Sequence, residues 1–348
     1  MTAFIKMGVA AAALAAALLA AAEPQKASPD RKQHRFVIVT SIGLSEADKE
    51  EDKSYVFSSI VSADIDSEGN IYTLDYREAC VKVFSPSGRF RTQFLRPGQG
   101  PGEVQNPFRL RVSPEGKHIF VLHQNGFQIK EFNDSGDFVR IHPLPKQIFD
   151  YFDFLDAGHL LFIDGLPFGQ KSFANLKVYA IREKKFEKEF AVTNIDYFTG
   201  FQRFVVRDGI VWTCPGDLME LEAYDLETGD RKKTLPLPEE YEPYQNLRWG
   251  QNIQKTRVWN YAQPFECAGN IYVLVTRQQF TPKPRDLLDS PLSRKITLYR
   301  LDGGRVVKET GFPAFDFYPE FLSARNSRIL ISSSPYDLYP QLAVLELR

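Results

Sequence analysis

Cysteine and net charge are both scarce in this sequence of 348 residues, and each scarcity excludes a class of protein. Its three cysteines, Cys80, Cys214 and Cys267, cannot form the disulfide framework of a small secreted fold. The sequence allows a single disulfide bridge between Cys214 and Cys267. The formal net charge of −1 gives no overall field that would attract nucleic acid. We therefore expect no nucleic-acid partner.

The motifs of common catalytic and metal sites are also missing. The sequence contains no G-x-S-x-G, S-x-x-K or CxxC motif, and residues 98–102, although rich in glycine, join two predicted strands rather than a strand and a helix. Two histidines never occur at a spacing that would place them on one face: His34, His118, His123, His142 and His159. We expect no cofactor.

Only the N-terminus contains a long uncharged apolar run. Lys6 precedes an alanine- and leucine-rich segment, residues 8–22, which ends in small residues before Glu23. This pattern is typical of a secretory signal peptide, and the run is too short and too weakly apolar for a membrane span. We predict a signal peptide over residues 1–22 with cleavage after Ala22, a flexible leader over residues 23–33, and a periplasmic or secreted protein without a membrane span.

The sequence is rich in aromatic residues, 13% of the total, and in short apolar runs separated by turns. Residues 64–107 contain four such runs at about ten-residue spacing, which predicts one four-stranded antiparallel sheet. Its first hairpin turn recurs six times, with glycine or asparagine where a tight turn needs a positive φ: Gly69, Gly116, Gly158, Gly209, Gly269 and Asn326.

Six such units predict an all-β protein, a six-bladed β-propeller of four-stranded antiparallel blades, over residues 34–348. The last unit ends at Arg348 without a fourth strand, while an isolated apolar run, residues 35–40, precedes the first unit. We predict that this N-terminal strand completes the last blade and closes the ring, because closure removes exposed sheet edges. We expect a monomer.

Two segments of the first and second units resemble a known family. Residues 97–103 read PGQGPGE and are followed by Asn106-Pro107 and by residues 112–116, VSPEG. This pattern resembles the connections between blades in NHL-repeat propellers, and the chain as a whole is similar to the bacterial exported 6-bladed beta-propeller proteins related to them. The resemblance implies a fold rather than a function, since the wider NHL group consists mostly of binding proteins and includes a few enzymes.

The longest predicted loops all fall on one face of the propeller, over residues 96–107, 164–175, 237–263, 276–294 and 333–340. Long loops on a rigid scaffold commonly carry binding sites, and aromatic and arginine side chains commonly dominate binding energy. We therefore predict a non-enzymatic binding or scaffold protein for a protein, peptide or glycan. Nine side chains form the predicted ligand-binding face: Phe168, Tyr244, Arg248, Trp249, Arg257, Trp259, Tyr261, Phe280 and Tyr336.

A second candidate site is the central channel, where the innermost strands supply a polar ring: Asp64, Arg111, Asp153, Arg203, Glu266 and Glu320. These side chains could hold a cation or an anionic ligand, but the sequence favours a channel lining of salt bridges. The alternative function is a lactonase-like hydrolase or lyase at the channel mouth. It would depend on a divalent cation such as Ca²⁺, with Asp64, Asp153, Glu266 and Glu320 as its ligands.

Overall fold

The computed structural model describes residues 35–43, 53–123, 128–145, 149–164, 172–195, 203–214, 219–237, 258–279, 293–309, 311–315, 319–333 and 340–348. These residues belong to one compact unit, His34–Arg348. The unit consists of six four-stranded antiparallel sheets arranged in a ring. The predicted all-β six-bladed propeller is therefore confirmed.

Three blades come from the N-terminal half of the unit. Blade 1 contains β2 (Ile60–Ile65), β3 (Ile71–Asp75), β4 (Cys80–Phe84) and β5 (Phe90–Phe94), after the edge strand β1 (Phe36–Ile42) and a 3-10 turn (Lys53–Tyr55). The two short strands β6 (Arg96–Pro97) and β7 (Glu103–Val104) lead to blade 2, which contains β8 (Arg109–Val112), β9 (His118–His123), β10 (Gln128–Asn133) and β11 (Phe138–Pro143). Blade 3 contains β12 (Phe149–Phe154), β13 (His159–Asp164), β14 (Ser172–Ala180) and β15 (Lys185–Ile195).

The C-terminal half supplies the other three blades. Blade 4 contains β16 (Phe204–Arg207), β17 (Ile210–Thr213), β18 (Glu220–Asp225) and β19 (Arg231–Pro236). Blade 5 contains β20 (Val258–Cys267), β21 (Asn270–Gln279), β22 (Ser293–Asp302) and β23 (Arg305–Glu309). Blade 6 contains β24 (Glu320–Arg325), β25 (Arg328–Ser332), β26 (Leu342–Leu347) and, as its outermost strand, β1.

The ring is closed by the pairing of the first and last strands. The strand β1 runs antiparallel to β26, with Phe36 opposite Leu347 and Ile42 opposite Leu342. Without this pairing, β1 and the facing edge of β26 would be unpaired, and an unpaired edge exposes backbone hydrogen-bonding groups. The predicted closure by residues 35–40 is confirmed, and the strand extends two residues further, to Ile42.

The six predicted hairpin turns join the first and second strands of the six blades, but they do not share one conformation. Five have a positive φ at the predicted residue, and Asn326 with φ 56° shows that asparagine replaces glycine there. Gly158 does not have a positive φ. In its turn the Asp156 carboxylate accepts hydrogen bonds from the Gly158 amide at 2.7 Å and from His159 Nδ1 at 2.9 Å. A side chain therefore holds the turn that glycine was expected to permit.

The core is divided among the spaces between blades. Each of the six neighbouring pairs of blades, including blades 6 and 1, encloses its own cluster of buried apolar side chains among the described residues. All five residues of β3 and of β4 are buried, because these central strands are covered on both faces. Full burial of a ring such as that of Phe84 contributes about 1.5 to 3 kcal/mol.

The glycine-rich segment between β6 and β7 is fixed as a connection between blades 1 and 2. The buried Lys130 ammonium donates to the carbonyl oxygens of Gly100 at 2.6 Å and of Glu103 at 2.5 Å. The Glu103 carboxylate accepts a hydrogen bond from the Gly100 amide at 2.8 Å. These contacts occupy the polar groups of the loop with its own chain, as expected for a blade crossover.

All three cysteines are free and buried. Cys214 lies between blades 4 and 5, whereas Cys267 lies between blades 5 and 6. Burial raises the pKa of the Cys80 and Cys267 thiols to about 12, so these groups are protonated at neutral pH. The fold therefore has no bridge between Cys214 and Cys267.

Candidate functional site

Three arginines from three blades cross or line the central channel. Arg111 lies on β8, Arg203 immediately precedes β16, and Arg325 ends β24. Each is largely or fully withdrawn from solvent, with exposed side-chain fractions of 1% for Arg111 and 18% for Arg325 and a buried Arg203. A buried guanidinium requires acceptors for its donors, and the surrounding strands supply them.

Arg203 connects blade 4 to blade 6. Its Nη1 donates to the carbonyl oxygen of Leu322 at 2.7 Å, and its Nη2 donates to that of Phe321 at 2.9 Å. The register between β24 and β25 shifts between Phe321 and Ser323, so Leu322 is an extra residue in the strand. A bulge of this kind leaves backbone groups outside the ladder. The guanidinium fork of Arg203 satisfies two carbonyl groups at this bulge.

Arg325 makes the corresponding connection from blade 6 to blade 2. It donates to the carbonyl oxygens of Ser113 at 3.1 Å and Val112 at 2.8 Å, and it lies 3.5 Å from the Asp64 carboxylate. Asp64 in turn accepts a hydrogen bond from the Val112 amide at 2.8 Å. Arg325 and Asp64 therefore form a buried pair whose remaining bonds hold the backbone of blade 2.

Arg111 completes the network on the other side of the channel. Its Nε lies 3.3 Å from Asp153 Oδ2, and its Nη1 donates to the carbonyl oxygen of Leu110 at 3.0 Å. Its guanidinium carbon is 4.8 Å from the centre of the Tyr151 ring, and that of Arg203 is 5.1 Å from the same ring. Burial raises the pKa of the Tyr151 phenol, which donates a hydrogen bond to Asp153 at 3.2 Å.

A cavity of 490 Å³ lies beside this network. Its wall includes residues of the first hairpin turns of blades 5 and 6, such as Gly269 and Asn326, and the ends of inner strands that lead into such turns. The cavity is therefore at the end of the channel where the tight turns lie. The long loops that the sequence analysis selected belong to the other end.

The wall of the cavity combines aromatic rings with hydrogen-bond acceptors. Phe265 and Phe321 are stacked with ring centres 4.7 Å apart, and both line the cavity. Asp153 is 35% exposed and Glu266 is partly exposed. Within the described residues, Glu266 makes no hydrogen bond or ion pair, and the buried Ser323 Oγ has no hydrogen-bond partner. These acceptors are the polar groups that a ligand would meet.

The structure brings together three of the six predicted channel residues at this cavity: Asp64, Asp153 and Glu266. Arg111 and Arg203 lie behind them and contact Tyr151, which also lines the cavity. Glu320 begins β24 at the opposite end of the strand and does not line the cavity. The network contains two salt bridges, Asp64 with Arg325 and Asp153 with Arg111, whereas Arg203 bonds to carbonyl groups.

The predicted ligand-binding face is not tested by this arrangement. Seven of its nine residues lie outside the described part of the chain: Phe168, Tyr244, Arg248, Trp249, Arg257, Phe280 and Tyr336. Trp259 and Tyr261 lie on β20, where the described structure is limited to the backbone at these two positions. That face stays a prediction.

Three residues of the site were missed by the sequence analysis. Tyr151 lies two residues before Asp153, and on a strand this spacing places both side chains on the same face. Arg325 directly precedes the predicted turn residue Asn326, and Ser323 lies two residues before Arg325. The two-residue period of a strand could have identified Tyr151 from Asp153 and Ser323 from Arg325, and Arg325 itself is next to the predicted turn residue Asn326.

The carboxylates proposed as ligands of a divalent cation do not form a metal site in the described residues. No group of three or more His, Cys, Asp or Glu side chains there is close enough to hold a metal ion. Asp64 pairs with Arg325, Asp153 pairs with Arg111, and Glu320 lies away from the cavity. A Ca²⁺ ion usually takes six to eight oxygen ligands, so it would have to displace these arginines.

We expect millimolar Ca²⁺ to leave the melting temperature unchanged, because Asp64 and Asp153 are engaged by arginines and offer no shared site. Differential scanning fluorimetry with and without Ca²⁺ measures this directly. A rise with Ca²⁺ concentration that disappears in an Asp64→Asn, Asp153→Asn double variant would contradict the expectation and support a cation site.

Comparisons with known proteins agree with the fold. A DUF4221 family member from Bacteroides vulgatus has a TM-score of 0.62 at 11% identity, over 92% of this chain and 99% of its own. A candidate exported protein from Bacteroides fragilis has a TM-score of 0.58 at 12% identity, over 92% and 97% of the two chains. Virginiamycin B lyase from Staphylococcus aureus has a TM-score of 0.50 at 10% identity, over 91% and 100%. At such low identity the similarity shows the fold alone.

No curated protein matches the sequence. Among the described residues, no helix has the length and apolar character needed to cross a membrane. The DUF5128 family model, described as a 6-bladed beta-propeller, matches residues 53–207. The resemblance predicted from the sequence is thereby confirmed: this chain is a 6-bladed β-propeller that matches the DUF5128 family over blades 1 to 3 and the start of blade 4.

Proposed function

We propose that this chain is an exported, non-enzymatic binding protein that holds part of a protein, peptide or glycan ligand in the central cavity. The observation that carries this proposal is the composition of the cavity wall. A space of 490 Å³ is bounded by stacked aromatic rings and by the partly exposed carboxylates of Asp153 and Glu266. A concave space in which a few polar groups converge beside apolar side chains is a common form of ligand site.

The absence of a catalytic arrangement in the described residues supports binding over catalysis. No histidine or cysteine lines the cavity there, and Ser323, its one serine, has no hydrogen bond to a general base. A serine hydroxyl is a weak nucleophile unless an adjacent base activates it. Asp153 lies 3.3 Å from the Arg111 guanidinium and accepts a hydrogen bond from the Tyr151 hydroxyl, so its carboxylate is engaged in the channel network.

Export is supported by two independent observations. Residues 8–22 have the composition of a signal peptide, and a structural relative from Bacteroides fragilis is a candidate exported protein. The predicted ligand-binding face, with Trp249 and Trp259, would then contact the same ligand or a second one at the opposite end of the channel. The ligand of an exported binding protein is met outside the cytoplasm.

The proposed function predicts that filling the cavity abolishes binding. Ala324 lines the cavity and is partly buried, so Ala324→Trp places an indole inside it. Peptide and oligosaccharide libraries are first screened against the full chain by thermal shift, because a ligand that binds only the native state raises the melting temperature. We expect the affinity of each confirmed ligand to fall at least about tenfold in the Ala324→Trp variant.

The matched control is Ala157→Trp, the same substitution at an exposed turn residue that does not line the cavity. This control is expected to bind each ligand as the unaltered chain does. A ligand that binds the Ala324→Trp variant and the control equally well would place binding elsewhere and refute the proposal. A ligand that is chemically converted during the assay would favour the enzyme alternative instead.

A further inference from the structure

Of the three carboxylates in the cavity wall, one has no arginine partner among the described residues. Asp64 pairs with Arg325 and Asp153 pairs with Arg111. Arg203 directs both Nη atoms at backbone carbonyl groups of blade 6. Glu266 remains, partly exposed in the cavity wall and without a hydrogen bond or ion pair to any described residue.

The cavity wall also offers a ligand more hydrogen-bond acceptors than donors. Arg325 directs both Nη atoms at the carbonyl groups of Val112 and Ser113 and at Asp64, which occupies most of its five donors. The acceptors are available, because a carboxylate offers about four acceptor positions and Glu266 uses none of them with the described residues. Ser323 Oγ, in a side chain only 5% exposed, is a further polar atom without a partner.

An apolar stem is also favoured, since the partly exposed side chains of Phe154 and Val205 line the cavity together with the carboxylates. A primary ammonium group on a chain of methylene groups has this combination of properties. Lysine carries its ammonium with three donors on four methylene groups, which pack well along apolar surfaces.

We propose that the cavity binds a lysine side chain of a peptide ligand, with the ammonium group at Glu266 and Asp153 and the methylene stem along Phe154 and Val205. This inference rests on the proposed function, because it names the part of the ligand that enters the cavity. It goes beyond that function by fixing the charge and the shape of the bound group. An amino sugar shares the ammonium group but lacks the linear apolar stem.

The test compares two capped pentapeptides, Gly-Gly-Lys-Gly-Gly and the same sequence with norleucine in place of lysine. Norleucine keeps the stem and removes the ammonium group. Isothermal titration with the full chain is expected to show at least about tenfold tighter binding of the lysine peptide. Its dissociation constant should rise with added salt, because an ion pair at a partly exposed site is screened.

Glu266→Gln is the matched variant, since it removes the charge and preserves the shape. We expect it to reduce the affinity for the lysine peptide to that for the norleucine peptide, at an unchanged melting temperature. Glu183→Gln, at an exposed turn residue of blade 3 outside the cavity, should bind the lysine peptide normally. An effect of Glu183→Gln as large as that of Glu266→Gln would overturn the assignment.

The outcomes separate this inference from the proposed function. If both peptides bind equally and both lose affinity in the Ala324→Trp variant, the cavity binds ligands but the lysine inference is wrong. If the lysine peptide shows no saturable binding up to the millimolar range, the inference is overturned as well. Tighter binding of a glucosamine trimer than of the lysine peptide would show that the ligand is an amino sugar and would also overturn the lysine inference.

Discussion

Replacement of Arg203 by methionine is expected to lower the free energy of unfolding by about 3 kcal/mol. The substitution keeps an unbranched apolar side chain but removes the donors that satisfy the carbonyl groups of Leu322 and Phe321. Phe321 lies in the cluster between blades 5 and 6, where water has little access. A buried carbonyl group without a partner costs about 1 to 3 kcal/mol, and the variant leaves two. Urea denaturation followed by tryptophan fluorescence measures the loss.

Two further substitutions define the cause of that loss. Arg203→Lys keeps the charge but cannot present two donors in a planar fork, so we expect an intermediate loss. Arg305→Met removes an exposed arginine of blade 5 and is expected to change stability by less than about 0.5 kcal/mol. If Arg203→Met is as stable as Arg305→Met, the bond across the channel does not stabilise the ring.

The second large effect is expected at Glu131, in the outer part of blade 2. This carboxylate is 1% exposed and lies 2.9 Å from His118 Nδ1, 2.6 Å from Arg140 Nε and 2.7 Å from His142 Nε2. Burial alone would raise the pKa of Glu131, but the hydrogen bonds from His142 and Arg140 outweigh it and lower the pKa to about 2. The three partners come from β9 and β11, on both sides of β10.

A folded-state pKa below the ordinary value of 4.5 means that ionised Glu131 stabilises the native state. This contribution is fully present above pH 4.5 and is lost as the pH falls towards 2. Because His118 and Arg140 are 42% and 44% exposed, solvent screening reduces it, and we expect about 2 kcal/mol at pH 7. Glu131→Gln should therefore be less stable than the unaltered chain at pH 7 and nearly equal to it at pH 2.

The measurement is the free energy of unfolding in urea at several pH values between 7 and 2. Glu115→Gln, at an exposed turn residue of the same blade, is the control and should follow the pH dependence of the unaltered chain. If the difference between Glu131→Gln and the unaltered chain is the same at every pH, ionisation of Glu131 is not the source of the stability.

The arginine network fixes the width of the channel and part of the cavity wall. Arg203 and Arg325 each connect blades that are not neighbours in the ring, so they fix the width of the channel as well as filling it. Tyr151 is held between Arg111 and Arg203 and forms part of the cavity wall. A wall fixed in this way loses little conformational freedom on binding, which favours affinity.

The face chosen from loop length and the face that carries the cavity are different. Loop length is visible in a sequence, and long loops do commonly carry binding residues. The cavity, however, is formed where short turns such as the one at Gly269 leave the channel end uncovered. The spacing of residues along the chain does not show how much space six converging strands enclose. The sequence therefore identified the polar residues of this site but not the cavity.

The number of blades and the closure of the ring were determined by the sequence itself. Turn residues recur at intervals of 42 to 60 residues, and residues 35–40 form an apolar run that only the unpaired strand at residues 342–347 can receive. The position of Asp64, Arg111 and Asp153, each five residues before its turn glycine, also placed them at a similar depth around the channel. These features are local, because they depend on the two-residue period of a strand and on the φ values that a turn requires.

The partners of those side chains were decided only by the tertiary structure. Arg203 bonds to a carbonyl group 119 residues away, and Arg325 bonds to one 212 residues away. An inward-facing position is a property of one strand, whereas the partner depends on the angle between blades, on the bulge at Leu322 and on the length of the arginine side chain. Because Glu266 lies outside every such pairing among the described residues, the same closure of the ring that paired Asp64 and Asp153 with arginines left one carboxylate of the cavity wall unpaired.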